Sequence, residues 1–376
     1  MKHTIFLYAI IGLFVFTQCK KEETNTPNDL PVMPIPEANL EADMVAFYDN
    51  FENVNLILIG SKDIDYMMAF NRTLADGTLG DFEALQNELP LVMQDSEGNK
   101  WDVFGTAIEG PRTGETLSPV VGYRGYFFAW GAFYPNTEIY GETPLETPPD
   151  MPTPNNDDWL VNNQNVKNGG PPKDGIPALT EPEFLPVADI DYLSDGDLVA
   201  AIKVGEEVKV YPYNILDWHE IINDKIDDNH FSIIYCPLTG TATNWNRNLS
   251  TGITTFGVSG LVYNSNVVPY DRASDSNWSQ IRNACINGEL MAEIPENQTI
   301  VELNWITCKT LYPNAKVVSS NTGHSRDYAN YPYGDYRTNN SIYFSLDNKD
   351  ERLHEKERVY GVTQNNKAKV YQLSNF

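Results

Sequence analysis

Cysteine is scarce in this sequence, with four in 376 residues, too few for a disulfide scaffold. Cationic side chains are scarce as well: 26 Lys and Arg stand against 52 Asp and Glu, a formal charge of −26. A field of that sign repels phosphate backbones and anionic head groups, so nucleic acid is excluded as an expected partner. Beyond the N-terminal segment, no stretch approaches the roughly 18 apolar residues that a membrane-crossing helix needs. What the chain does have is apolar and aromatic mass, 41% and 12%, including 21 Tyr, 16 Phe and 7 Trp. That composition rules out a disordered or fibrous protein and favours a sheet-rich globule, long enough for two ordinary domains or one large one.

The N-terminus reads as an address. Lys2 and His3 precede an apolar run from Ile5 to Phe16, too short to span a bilayer and of the length of a signal-peptide core. It stops at Phe16-Thr17-Gln18-Cys19, which resembles the bacterial lipoprotein cleavage site of the kind seen in Bacteroidetes. The expectation is a signal peptide over 1–18 and a lipidated Cys19 that inserts into the membrane. Lys20-Lys21-Glu22-Glu23 resembles the signal that places such lipoproteins on the outer surface of the cell envelope. A tether over 19–40 follows, rich in Thr, Asn and Glu with prolines at 27, 31, 34 and 36, a composition that cannot build a core.

Self-similarity organises the rest. Phe70-Asn71-Arg72-Thr73-Leu74 is matched by Trp245-Asn246-Arg247-Asn248-Leu249 at an offset of 175, Trp101 and Ala107 by Trp278 and Ala284 at 177, and Tyr134-Pro135-Asn136 by Tyr312-Pro313-Asn314 at 178. Order and near-constant spacing make two diverged copies the expected arrangement. The second copy has a preface, an alternating strand pair over Val199–Leu216 with Lys209-Val210-Tyr211. The first copy lacks one, but Lys369-Val370-Tyr371 recurs in a similar hairpin at the C-terminus. The chain therefore reads as a first module over 41–140, completed by the 359–376 hairpin packing beside Val54–Arg72, a Pro- and Asn-rich linker over 141–173, and a second module over 174–358. The fold class expected is β-rich α+β: two pseudo-repeated, mostly antiparallel β modules with a few short helices. Ile253–Val258, Leu261–Tyr263 and Val267–Tyr270 read as strands, and Tyr213–Asn223, Trp278–Ile286 and Leu303–Leu311 as helices.

Reactive residue types gather in the second module. Asp217-Trp218-His219-Glu220 falls on a helical turn, and a buried-strand pattern from Phe231 to Tyr235 delivers Cys236-Pro237-Leu238-Thr239-Gly240-Thr241 at its end. A thiol at a strand terminus beside free backbone amides is placed for nucleophilic or metal chemistry, although a lone cysteine is more commonly a small buried hydrophobe. In the first module, Gly60 aligns with Tyr235 and neither Cys nor His follows. Cys236, His219 and His324 are the candidate ligands of a transition metal. Cys236 and His219 with Glu220 would equally serve thiol catalysis, with Asp271 and Arg272 as further catalytic candidates. His324, Arg326, Asp327 and Tyr263 are the candidate substrate contacts. Cys285 and Cys308 read as core residues, and a disulfide among the remaining cysteines stays open. Asp189, Asp191, Asp195 and Asp197 lack the later Glu of an EF-hand and read as a solvated turn.

These residues carry a resemblance. Asp174-Gly175-Ile176-Pro177, Trp218-His219-Glu220, Tyr235 to Thr241, Phe256-Gly257-Val258-Ser259-Gly260-Leu261, Tyr263-Asn264-Ser265, Tyr270-Asp271-Arg272, Trp278-Ser279-Gln280 and Ser325-Arg326-Asp327-Tyr328 are similar to an uncharacterised prokaryotic family, the domain of unknown function numbered 3179. The likeness runs from Asp174 to Val362 and implies relatives without a reaction. Many members carry a second cysteine where this chain has Thr239, which leaves any activity to Cys236 with His219 and other partners. Two functions are therefore expected of an envelope protein of this kind: a metal- or thiol-dependent enzyme around Cys236 and His219, or a non-catalytic module that binds glycan or protein on exposed aromatic rings.

Overall fold

The computed structural model describes residues 40–146 and 153–376. The signal segment 1–18, Cys19, the tether up to Asn39 and residues 147–152 of the linker lie outside the described residues. The strands form six sheets of three to five strands each and one two-stranded ribbon. Among the described residues three α-helices accompany them: α1 (Phe127–Phe133), α2 (Tyr213–His219) and α3 (Trp305–Leu311). No helix among the described residues is long and apolar enough to cross a membrane.

The sheets are the blades of a six-bladed β-propeller, and side-chain contacts close the ring. Tyr48 bonds Asp81, Phe47 meets Tyr371, and Phe133 meets Tyr263 edge-on. Asn223 bonds both backbone groups of Phe256, Tyr211 meets Phe231 edge-on, and Phe104 meets Tyr312. Each contact joins one sheet, or the turn or helix attached to it, to the next, so neighbouring blades bury side chains between them.

The internal repeat appears as repeated hydrogen bonding. In the second half, the hairpin Leu198–Val204/Glu207–Pro212 is flanked by Val301–Asn304, antiparallel, and Lys316–Val318, parallel. In the first half, the hairpin with the same surroundings comes from the C-terminus: Arg358–Gln364/Lys367–Gln372 is flanked by Gly122–Tyr126, antiparallel, and Glu138–Ile139, parallel. Its ladder partners are thus these two strands rather than Val54–Arg72, and it reaches the sheet of Val54–Ser61 through side chains. The Lys-Val-Tyr recurrence has a physical reason. Lys209 Nζ and Tyr211 Oη both bond Asp224 Oδ2, at 2.8 and 2.7 Å; Lys369 Nζ and Tyr371 Oη both bond Asp49 Oδ2, at 2.6 and 2.8 Å. Residues two apart share one face of a strand, so each hairpin presents a cation and a phenol to one carboxylate of the adjoining blade.

Three expectations change. Tyr213–Asn223 is helical only as far as His219, and Ile221–Asn223 begin the strand Ile221–Ile226. Trp278–Ile286 is not a helix: it is two short strands, Asn277–Ser279 and Ala284–Asn287, joined by a turn with Asn283 at φ +52°. Cys285 accordingly lies in a strand, while Cys308 is on α3. Ile253–Val258 and Leu261–Tyr263 belong largely to one strand, Phe256–Tyr263, with a bulge between Val258 and Leu261 where Gly260 takes φ +79°.

Candidate functional site: a polar pocket and the segment that covers it

Helix α2 ends at Glu220, whose φ of +57° turns the chain while its N–H closes on the Leu216 carbonyl at 2.7 Å. A left-handed conformation at a non-glycine residue is strained and persists where the surroundings enforce it. Here it sends the Glu220 carboxylate inside, 7% exposed, where it accepts from Tyr333 Oη at 3.0 Å. Burial pushes its pKa up to about 7 against the pull of that bond. One turn earlier Asp217 is buried too, with Arg337 Nη2 at 2.7 and 2.8 Å from its two oxygens. Burial still raises it to about 6, outweighing the guanidinium.

His219 is fully buried between two partners, Nδ1 at 2.7 Å from the Pro177 carbonyl and Nε2 at 2.7 Å from Tyr328 Oη. Burial pushes it down to about 4, offset in part by the bond to Pro177, so it is neutral at physiological pH. With Nδ1–H donated to the carbonyl, Nε2 accepts the tyrosine proton. Cys236 ends the strand Asn229–Cys236 and is followed by a tight turn in which the Gly240 N–H bonds the Cys236 carbonyl at 2.8 Å. Its sulfur accepts the Val267 N–H at 3.3 Å and lies 3.7 Å from the Ser265 carbonyl. Burial first, and Glu220 second, push the thiol up.

The segment 319–357, without regular structure, lies across both motifs and is fastened by its tyrosines. Tyr328 holds His219, Tyr331 bonds the Pro237 carbonyl at 3.3 Å, Tyr333 holds Glu220, and Tyr336 bonds the Leu238 carbonyl at 3.0 Å. Arg337 lies over the Tyr331 ring at 3.9 Å. Beside this strap opens a pocket of about 380 Å³ lined by Asp65, Asp197, Tyr213, Asn214, Asp217, Tyr328, Tyr331 and Arg337 among others.

The residues singled out in the sequence are brought together only in part. His219 and His324 face each other with rings 5.3 Å apart, and Arg326 lies 5.8 Å from the ring of Trp218. No hydrogen bond joins Cys236 to His219, and among the described residues no three His, Cys, Asp or Glu are grouped to hold a metal. Asp327 bonds Asn330 at the surface. Asp271 and Arg272 do not pair with each other. Arg272 bonds Asp174 at 2.7 Å, while Asp271 accepts Trp278 Nε1 at 3.1 Å and the Ser274 amide at 2.7 Å. The first half repeats this arrangement: Asp95 accepts Trp101 Nε1 at 3.0 Å, and Phe82–Trp101 and Phe256–Trp278 both meet edge-on at 5.7 Å. The Asp271 geometry is therefore a property of the blade in both halves. Tyr263 packs on Phe133 and bonds Asp347, away from the residues lining the pocket. Cys236, Cys285 and Cys308 are all free and buried.

Sequence reasoning passed over Asp65, Tyr213, Asn214, Tyr331, Tyr333, Tyr336 and Arg337, and read Asp197 as part of a solvated turn, whereas it lines the pocket. The signal available was the run Tyr328, Tyr331, Tyr333, Tyr336, Arg337 within an otherwise polar segment, four aromatics where a solvated loop needs none. In comparison with known proteins, the family described as "Protein of unknown function (DUF3179)" matches residues 173–376. No curated protein and no solved structure matches the chain.

Proposed function

The chain belongs to the DUF3179 family, whose description carries no activity, and we propose that it is a non-catalytic binding module for a small polar ligand of saccharide type, held at the cell surface by a lipid on Cys19. The observation that carries this reading is the pocket beside the tyrosine strap. Its volume of about 380 Å³ is at the small end of ligand sites. Its walls combine carboxylates, two amides and a guanidinium with tyrosine rings, the hydrogen-bonding and ring-face chemistry that a hydroxylated ring requires. Binding is favoured over thiol chemistry by the state of Cys236. Its thiol is buried with a raised pKa and has backbone partners in place of a base, and a nucleophilic cysteine needs the opposite.

The test is a glycan array probed with the detergent-solubilised full chain, followed by calorimetry on the hits. Binding lost in Arg337→Ala and Tyr331→Ala is the expected result; no glycan above background refutes the saccharide reading. The anchoring is tested separately: Cys19→Ala should move the protein from the membrane to the soluble fraction, and an unchanged distribution would overturn it.

A further inference from the structure

Taking the pocket as a binding site, as proposed above, we infer that residues 320–343 form a lid beside it, which opens as one unit and completes the site only when shut. The strap is rooted through the backbone at its two ends. At one, the Ser319 N–H bonds the Glu183 carbonyl at 2.8 Å; at the other, the Phe127 and Phe128 N–H groups bond the Glu357 and Glu355 carbonyls, each at 2.9 Å. Between these roots, among the described residues, no backbone–backbone hydrogen bond joins the strap to a blade; those it makes close turns within itself, as from the Tyr336 N–H to the Tyr333 carbonyl. The part from Phe344 onward is nevertheless pinned by the turn Asn264–Ser265. Ser265 Oγ lies 3.1 Å from both the carbonyl oxygen and the N–H nitrogen of Phe344, and Asn264 Oδ1 accepts the Asp347 N–H at 2.7 Å.

The part before Phe344 is held differently. Of residues 320–343 only Tyr328 and Tyr336 are buried. From Tyr328 to Arg337 the hydrogen bonds to the blades converge on two neighbouring stretches, α2 with its cap Glu220, and Tyr235–Leu238. To the four tyrosine hydroxyls and Arg337 are added two carbonyls, that of Asn330 accepting Trp218 Nε1 at 3.1 Å and that of Tyr328 accepting Asn214 Nδ2 at 3.2 Å. Such bonds each contribute little beyond those water would make, while ordering the backbone opposes closure. A segment with two buried side chains therefore lies at the low-stability end of the molecule. Gly323, at φ +78° with open space where a Cβ would stand, supplies a hinge beside the Ser319 root. Tyr328, Tyr331 and Arg337 of the lid form one wall of the pocket, and Asp65, Asp197 and residues of α2 the other. A ligand between the two walls favours the shut lid, and an open population weakens binding in proportion.

Limited trypsin cleavage of the detergent-solubilised full chain reads the open population without any ligand. Arg326 and Arg337 report on the lid, and Lys349 on the pinned part of the strap. Tyr336→Phe removes the bond to the Leu238 carbonyl and should speed cutting at Arg326 and at Arg337 by one shared factor of about fivefold, the effect of one lost hydrogen bond. Cutting at Lys349 should keep its rate. Tyr328→Phe, which releases His219, should repeat the pattern. A change confined to the site nearer the substitution shows independent local motions and overturns the lid. Unchanged rates at both lid sites overturn it too, as does an increase that Lys349 shares, which would make the strap one body with the blades. A shared factor alongside an empty glycan array leaves the lid standing and removes the saccharide.

Discussion

Replacing Glu220 by Gln should make the protein more stable than its parent by an amount that grows with pH. Glu220 ionises near pH 4.5 in an unfolded chain and at about 7 in the fold. A carboxyl whose folded pKa is raised is held neutral by the fold, so its favourable contribution is complete below pH 4.5 and is lost as pH rises through 7. Two and a half pH units at about 1.36 kcal/mol each set an upper value of about 3 kcal/mol. The Gln amide keeps an oxygen for the Tyr333 hydroxyl and removes the charge. His219 acts with the opposite sign: its folded pKa is depressed to about 4, so its contribution is present above about 6.5 and is lost as pH falls towards 4. In the parent protein the two slopes oppose each other between pH 4.5 and 6.5 and conceal one another. The difference between variant and parent isolates Glu220. Urea unfolding at pH 4.5, 5.5, 6.5 and 7.5, followed by tryptophan fluorescence, gives that difference directly. A gap that stays constant across these pH values would refute the burial of an ionisable Glu220.

Asp224→Ala and Asp49→Ala each strand a lysine and a tyrosine hydroxyl, and each should cost about 3 kcal/mol. The Asp224 change should be the larger, because its Lys–Asp pair is the more buried of the two; equal and negligible losses in urea would contradict the triad. Asp271→Ala and Asp95→Ala should destabilise to a similar extent, about 1–3 kcal/mol, through an unsatisfied tryptophan N–H, and a much smaller loss for Asp271 would give it a role outside the blade. A thiol reagent should find no reactive cysteine at 236, 285 or 308 in the native protein and all three after unfolding; rapid native labelling of Cys236 would reopen thiol chemistry.

The repeat was legible in sequence because it is written in large residues that the blades bury. Phe70 and Trp245, and Trp101 and Trp278, keep their spacing and are all fully buried, while in the third pair Tyr134 is buried and Tyr312 half-buried. Helix α1 was missed for the same reason. Phe127–Phe133 is apolar on every side and all seven residues are buried, so it has no amphipathic period to read; only its alignment with α3, 178 residues on, could have exposed it. The Trp278–Ile286 helix was misread because a strand, a tight turn and a strand over the eleven residues Asn277–Asn287 leave no clean alternation. Of the site, the stretches Asp217–Glu220 and Cys236–Thr241 were legible as unusual local sequence. The pocket was not, because its walls come from a turn at Asp65, from α2 and from the 319–357 strap, positions that no local pattern relates.

The two halves also differ where they meet. Arg124 and Glu302 occupy equivalent positions, each on the strand that flanks its hairpin, 178 residues apart. An exact repeat would place two like charges there. Instead one copy supplies the guanidinium and the other the carboxylate, 3.9 Å apart and both nearly fully buried, with Asp65 and Arg358 completing the group. A buried ion costs several kcal/mol unless it is paired, so a symmetric protein could keep neither charge at this position. Asymmetry at the junction is what lets Asp65 sit paired at the edge of the pocket. The polar site accordingly draws on both halves: the second contributes α2 and the strap, and the first contributes Asp65 and the cation behind it. The duplication built the scaffold, and the departures from it made a cavity with an excess carboxylate.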